Sequence, residues 1–223
     1  MLEIEQTPLK DCFILKPSIF RDHRGTFIES FSQRRFEEVT GRNLEFVQDN
    51  QSSSKKGVLR GLHFQKGKYA QSKLVRTVYG RVLDVVVDLR LGSPTFKKSF
   101  KTVLSDENYH QLFVPAGFAH GFITLSEMSV FAYKCDQYFH KDADAGVFYN
   151  DPVFEIDWEY PHFTDGSYFV PLQPVSLSSG VAPAGASPPV VATGRAPPLE
   201  VGAGPGCGRG RRPPHPPAAG PDP

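Results

Sequence analysis

Two stretches of this chain hold the residue types from which a proton-transfer site is built. Residues 113–122, FVPAGFAHGF, place His120 just beyond a Pro115-Ala116-Gly117 turn. Residues 57–65, GVLRGLHFQ, carry His63 and, three positions earlier, Arg60. An imidazole titrates near neutral pH, so each histidine is a candidate base, acid or metal ligand. A metal centre would need three or four N or O ligands. The stretch 57–65 supplies only His63, followed by Phe64 and Gln65, and Lys73 stands where a carboxylate ligand would come next. An ammonium there repels a metal ion, so the expectation is a site with no metal. On a regular strand Arg60 and His63 point to opposite faces. A bulge at Gly61, or a site at the strand end, would reconcile them.

The elements that must hold these side chains read as strands. Residues 75–79 and 82–88 are β-branched runs around Gly80-Arg81, the signal of a hairpin. Further strands are expected at 57–65, 100–104, 111–114, 120–125 and 130–138, with Gly, Pro, Asn and Asp between them. One short helix is expected at 33–39, stopped by Gly41. Many short, punctuated strands predict an all-β sandwich or barrel, and the two histidine stretches match the places where a cupin-type jelly roll carries its site. There is no βαβ alternation, no GxGxxG and no P-loop, which excludes a Rossmann-type nucleotide site.

Composition narrows the setting. Of 223 residues, 25 are basic and 24 acidic, a net charge of +1. That balance gives no general attraction to nucleic acid or an anionic membrane. Cys12, Cys135 and Cys207 form no CxxC pair, and their odd number speaks against a disulfide framework, so a reducing cytoplasm is expected. The N-terminal residues do not read as a signal peptide, and no apolar run is long enough to span a bilayer. Near Pro174 the composition changes to Pro, Gly and Ala, without aromatic residues or Lys. The expected organisation is a folded domain over 1–174 and a disordered tail over 175–223. Arg replaces Lys in the tail and its abundant residues all have GC-rich codons, the pattern of an out-of-frame or fused segment; a natural flexible tail is the alternative.

Taken together, FRDHRGTFIESF, FVQDNQSSSKKGVLRGLHFQ, YAQSKLVRTVYGRVLDVVVDLR, SPTF, FVPAGFAHGF, YKCDQYF and NDPVFEIDW, in order between residues 20 and 158, resemble the dTDP-4-dehydrorhamnose 3,5-epimerases. The resemblance covers nearly all of the expected domain and none of the tail. It implies a cytoplasmic homodimer acting on dTDP-4-keto-6-deoxyglucose, on the way to dTDP-L-rhamnose or a related deoxysugar of cell-surface polysaccharide. Epimerases of C3 alone or C5 alone share the same residues. A metal-dependent cupin oxygenase and a non-catalytic sugar-nucleotide binder are the readings from other classes.

The chemistry of such an epimerase sets requirements. Removing a proton beside the 4-ketone makes an enolate, and that proton lies roughly a dozen pKa units above an imidazole, about 16 kcal/mol. A base alone does not bridge this gap, so the site must also stabilise negative charge on the C4 oxygen. Inversion further needs an acid on the opposite face of the ring. The resemblance implies His63 as base, Tyr133 as acid and Lys73 as the cation beside the ketone. It implies Arg24 and Arg60 for the pyrophosphate, and contacts to nucleotide or sugar from Glu29, Gln48, Asp49, Asn50 and His120. Phe139 stands at the position that stacks on thymine, and Asp144 where the family usually has Glu. Asp84 is second-tier support or a satisfied strand carboxylate. One departure concerns His63. The family pairs this histidine with an aspartate in an LSxKD-like segment past the IDW tryptophan, whereas here EYPHFTDGSYFVPLQPV follows, and Asp165 falls too early. Loss of that partner would lower activity by orders of magnitude.

Overall fold

A computed structural model describes residues 2–159. The expected tail, the 174/175 boundary and Asp165 lie outside the described residues. In chain order, strands β1 (Leu2–Gln6) and β2 (Phe13–Pro17) are followed by β3 (Ile19–Asp22), β4 (Gly25–Ile28) and helix α1 (Gln33–Thr40). Then come β5 (Gln48–Lys55), β6 (Leu59–Gln65), β7 (Lys73–Tyr79), β8 (Arg81–Asp88) and β9 (Ser99–Ser105). The last are β10 (Gln111–Val114), β11 (Phe118–Thr124), β12 (Met128–Cys135) and β13 (Asp144–Gly146). Two antiparallel sheets result, ordered β1-β2-β10-β7-β12-β5 and β13-β6-β11-β8-β9, with β3-β4 as a separate ribbon. This is the expected all-β, cupin-type jelly roll.

The core lies between the sheets. Ile14, Val75, Leu112, Val114 and Phe131 of the first sheet pack with Val82, Val86, Leu104, Phe118 and Phe122 of the second. The outer face of the first sheet is covered by α1, whose Phe36 packs on Phe13, Leu15, Leu74 and Phe113. The outer face of the second is covered by Val147, Phe154 and Trp158 over Leu59, Leu83, Val85, Val87 and Ile123. With both faces covered, β8 is buried from Val82 to Asp88, so its sequence is a near-continuous apolar run. The two polar residues in that run, Asp84 and Asp88, share the inward face with Val82 and Val86, because side chains alternate along a strand.

The helix was legible from its ends. Ser32 Oγ accepts from the Arg35 amide, and Gly41, at φ 63°, donates to the Glu37 carbonyl. The hairpin expected at Gly80-Arg81 is not formed. β7 and β8 belong to different sheets, and Gly80 is the corner where the chain crosses from one to the other. At φ 76° its amide donates to Asp106 Oδ2 at 2.8 Å, and a Cβ there would fall on the Met128 carbonyl. A Gly-led turn between two β-branched runs looks the same in sequence for a hairpin and a sandwich corner. The corner wins because β8 buries both faces only between β9 and β11. β12 also ends at Cys135 rather than at 138. No helix among the described residues is long and apolar enough to cross a membrane.

Candidate active site

One end of the space between the sheets is left unfilled. It forms a cavity of about 310 Å³ whose lining includes Arg60, His63, Lys73, His120, Tyr133, Phe139 and Asp144. The second sheet contributes the histidines. β11 pairs with β6 so that His120 faces His63, and two residues later Phe122 faces Arg60. Three steps on β6 therefore match two on β11. This is the bulge expected at Gly61, and it turns Arg60 and His63 to the same cavity. Gly61 has φ 133° and lies against Gly121; an added Cβ would sit 2.9 Å from the His120 carbonyl oxygen. Only glycine fits there.

The first sheet supplies the opposite wall. Lys73 pairs with Cys135, and Val75 with Tyr133, so Lys73 and Tyr133 point inward from adjacent strands. The Lys73 ammonium lies 5.7 Å from the centre of the Tyr133 ring. The imidazole and the phenol thus enter the cavity from different sheets.

Burial and charge tune these groups. Burial, then the charges of Lys73, His120 and Arg60, lower His63 to about 4, so its imidazole is neutral at physiological pH. Among the described residues no carboxylate bonds to His63 or counters these effects at its ring. Burial lowers the Lys73 ammonium and raises the Tyr133 phenol, which stays protonated and able to donate. His120 is held differently: its Nε2 lies 2.9 Å and 3.1 Å from the oxygens of Asp84, a residue with 0% exposure. Burial pushes the Asp84 carboxyl up, opposed by His120. Arg60 is aimed by Ser54, whose Oγ accepts from Nε at 2.9 Å. Asp144 accepts from Gln65 Nε2 at 3.0 Å, and burial raises its carboxyl.

Not every expected site residue reaches this cavity. Gln48 and Asn50 flank it: Gln48 Nε2 donates to Asn50 Oδ1, and Gln48 Oε1 accepts from the Phe139 amide. Asp49, one position out of phase, faces the outer side of the sheet and binds Lys134 at 2.9 Å. Glu29 lies beside α1, paired with Arg35 at 3.3 Å. Arg24 sits in the turn of the β3-β4 ribbon, 2.6 Å from Asp22. Sequence reasoning missed Gln65, which lines the cavity two positions after His63 on the same strand. The two-residue period of a strand was the signal that could have found it.

The family model described as dTDP-4-dehydrorhamnose 3,5-epimerase matches residues 6–177. The chain belongs to the dTDP-4-dehydrorhamnose 3,5-epimerase family. Among curated members of that family, the enzyme of Salmonella typhimurium is 49% identical over 160 residues, 72% of this chain and 87% of the relative. The crystal structure of the Elizabethkingia anophelis epimerase is 53% identical with a TM-score of 0.69, covering 72% of this chain and 88% of that one. The dTDP-6-deoxy-D-glucose-3,5-epimerase of Legionella pneumophila, in complex with dTDP-4-keto-L-rhamnose, is 49% identical with a TM-score of 0.69, covering 71% and 84%. Family membership makes the chain an isomerase of the epimerase type.

Proposed function

We propose that this chain inverts C3 and C5 of dTDP-4-keto-6-deoxyglucose in the cytoplasm, within deoxysugar synthesis for cell-surface polysaccharide. His63 takes the proton beside the ketone, Lys73 holds the charge that develops on the C4 oxygen, and Tyr133 returns a proton from the far face. The observation that carries this reading is the entry of a neutral imidazole and a protonated phenol into one cavity from opposite sheets, with an ammonium beside the phenol. Arg60, His120, Asp144 and Phe139 would then hold the pyrophosphate, the sugar and the base. Binding a diphosphate next to Arg60 offsets part of the positive charge that depresses His63, so the base strengthens when substrate arrives.

The assembly belongs to the same proposal. The β3-β4 ribbon is exposed on nearly every residue, with Phe20 at 59% and Phe27 at 68% exposure, and it carries Arg24 away from the cavity of its own chain. Two exposed aromatic rings on a ribbon call for a covering surface. A second copy of the chain supplies it, and Arg24 and Glu29 of each copy then serve the other's cavity.

The test is incubation with dTDP-4-keto-6-deoxyglucose in heavy water, followed by NMR. Deuterium at both C3 and C5 is the expected result, and deuterium at a single carbon would reassign the chain as a mono-epimerase. Because His63 has no carboxylate partner among the described residues, a weakened sugar-nucleotide binder is the second reading. Substrate binding without any exchange would select it and overturn the first.

A further inference from the structure

The rim of the cavity is built around a short bridge between the two sheets. Phe139 is followed by His140, whose backbone is extended at φ −125° and ψ 116°. Here the Phe139 amide donates to Gln48 Oε1 of β5, in the first sheet, at 3.0 Å. The His140 amide donates to Gln65 Oε1 of β6, in the second sheet, at 2.9 Å. Gln65 is buried, 4% exposed, and its other end donates to Asp144 Oδ1 at 3.0 Å. The His140 ring is stacked on Tyr69, with centroids 3.9 Å apart and planes 14° from parallel. The Phe139 ring is 53% exposed while lining the cavity, and its backbone amide is tied to Gln48.

We propose that Gln65 is a positioning residue for nucleotide binding, fixing the exposed Phe139 ring as a base platform by tying the His140 amide to Asp144. A half-exposed aromatic ring on a loop binds a base well only if its orientation is set beforehand, because ordering it on binding costs affinity. Both ends of the Gln65 amide are already engaged by protein, so its effect on a ligand runs through the residues it holds. It couples the base side of the cavity, at Phe139, to the sugar side, at Asp144. The inference rests on the reading of Phe139 as the surface on which the thymine lies.

The experiment is equilibrium binding of dTDP to the full chain and three variants: Phe139→Ala, Gln65→Met and the double variant. Loss of a stacking ring weakens binding of a base by about tenfold. Gln65→Met is expected to weaken dTDP about fivefold, and the double variant to be no weaker than Phe139→Ala within about twofold, because the clamp has nothing left to position. In turnover, Gln65→Met raises KM more than it lowers kcat. A purely structural defect would lower the fraction of binding-competent protein and leave Kd unchanged. Gln65→Glu keeps the shape and the acceptor for the His140 amide but replaces the donor to Asp144; should the methionine variant not fold, the same non-additivity with Phe139→Ala is required of it. Normal dTDP affinity in the Gln65 variants, or fully additive losses, overturns the clamp while leaving the base platform standing. Unchanged affinity in Phe139→Ala overturns the platform, and the clamp with it.

Discussion

His63 and His120 face each other across one pair of strands, yet their surroundings differ. His120 rests on Asp84, a carboxylate with no exposure, and stacks on Phe131 with centroids 6.0 Å apart. His63 is lowered to about 4 by burial and then by the charges of Lys73, His120 and Arg60, and has no carboxylate partner among the described residues. A buried, hydrogen-bonded imidazole is part of the architecture, since removing either member of such a pair strands the other. An imidazole kept neutral by burial and by cationic neighbours keeps a ring nitrogen open to a proton from outside. The pair shows that residue type alone does not assign a role: the partner behind the ring does.

The largest expected effect falls on the side with no partner. Replacing His63 by Asn removes the proposed base while keeping a polar side chain of similar reach. Proton exchange at C3 and C5 should fall by about 10³-fold, within the span of general-base effects. Retained exchange in that variant, read by deuterium uptake, would dissolve the distinction between the two histidines. The next effect falls on the braced side and appears in a different measurement. Asp84→Ala leaves His120 buried without its acceptor and should lower unfolding free energy by about 3 kcal/mol in denaturant titration. An Asp84→Ala protein as stable as the parent would show that His120 needs no brace.

The same contrast between filling and function explains what was legible in the sequence. β8 and β11 announce themselves because each buries nearly every residue. β5, with the sequence QDNQSSSK, does not. It is an edge strand whose Gln48 and Asn50 flank the cavity and whose Ser52 lines it, so the alternation that marks a half-buried strand is present in exposure but absent in hydrophobicity. That also explains Asp49, grouped with its neighbours on the sequence QDN although strand alternation sends it to Lys134 on the outer face. Arg60 was legible only conditionally: its reach to the cavity depends on one inserted residue near Gly61. The crossing at Gly80 was misread because the pairing of β7 and β8 is decided by partners distant in sequence. Arg24 and Glu29, expected at the site, instead pair with Asp22 and Arg35 away from the cavity lining, a placement that no local pattern announces.

The finest test of the contrast is a proton count. The folded chain holds His63 at about 4, against an ordinary value of 6.5. As pH falls from 6.5 towards 4, the unfolded chain takes up a proton at this position that the folded chain refuses. Stability therefore declines over that window because of His63 and levels off below it. The Asn variant has no such proton to refuse. On going from pH 7 to pH 4.5 the stability of the parent relative to His63→Asn should thus drop by about 2 kcal/mol, measured as the difference between the two unfolding free energies at each pH. Other titrating groups are common to both proteins and cancel to first order. The same depression puts the acid limb of kcat/KM for the free enzyme near pH 4 rather than near 6.5. A limb near 6.5, together with a stability difference that does not move with pH, would show that a carboxylate meets His63 in solution and that the two histidines are braced alike.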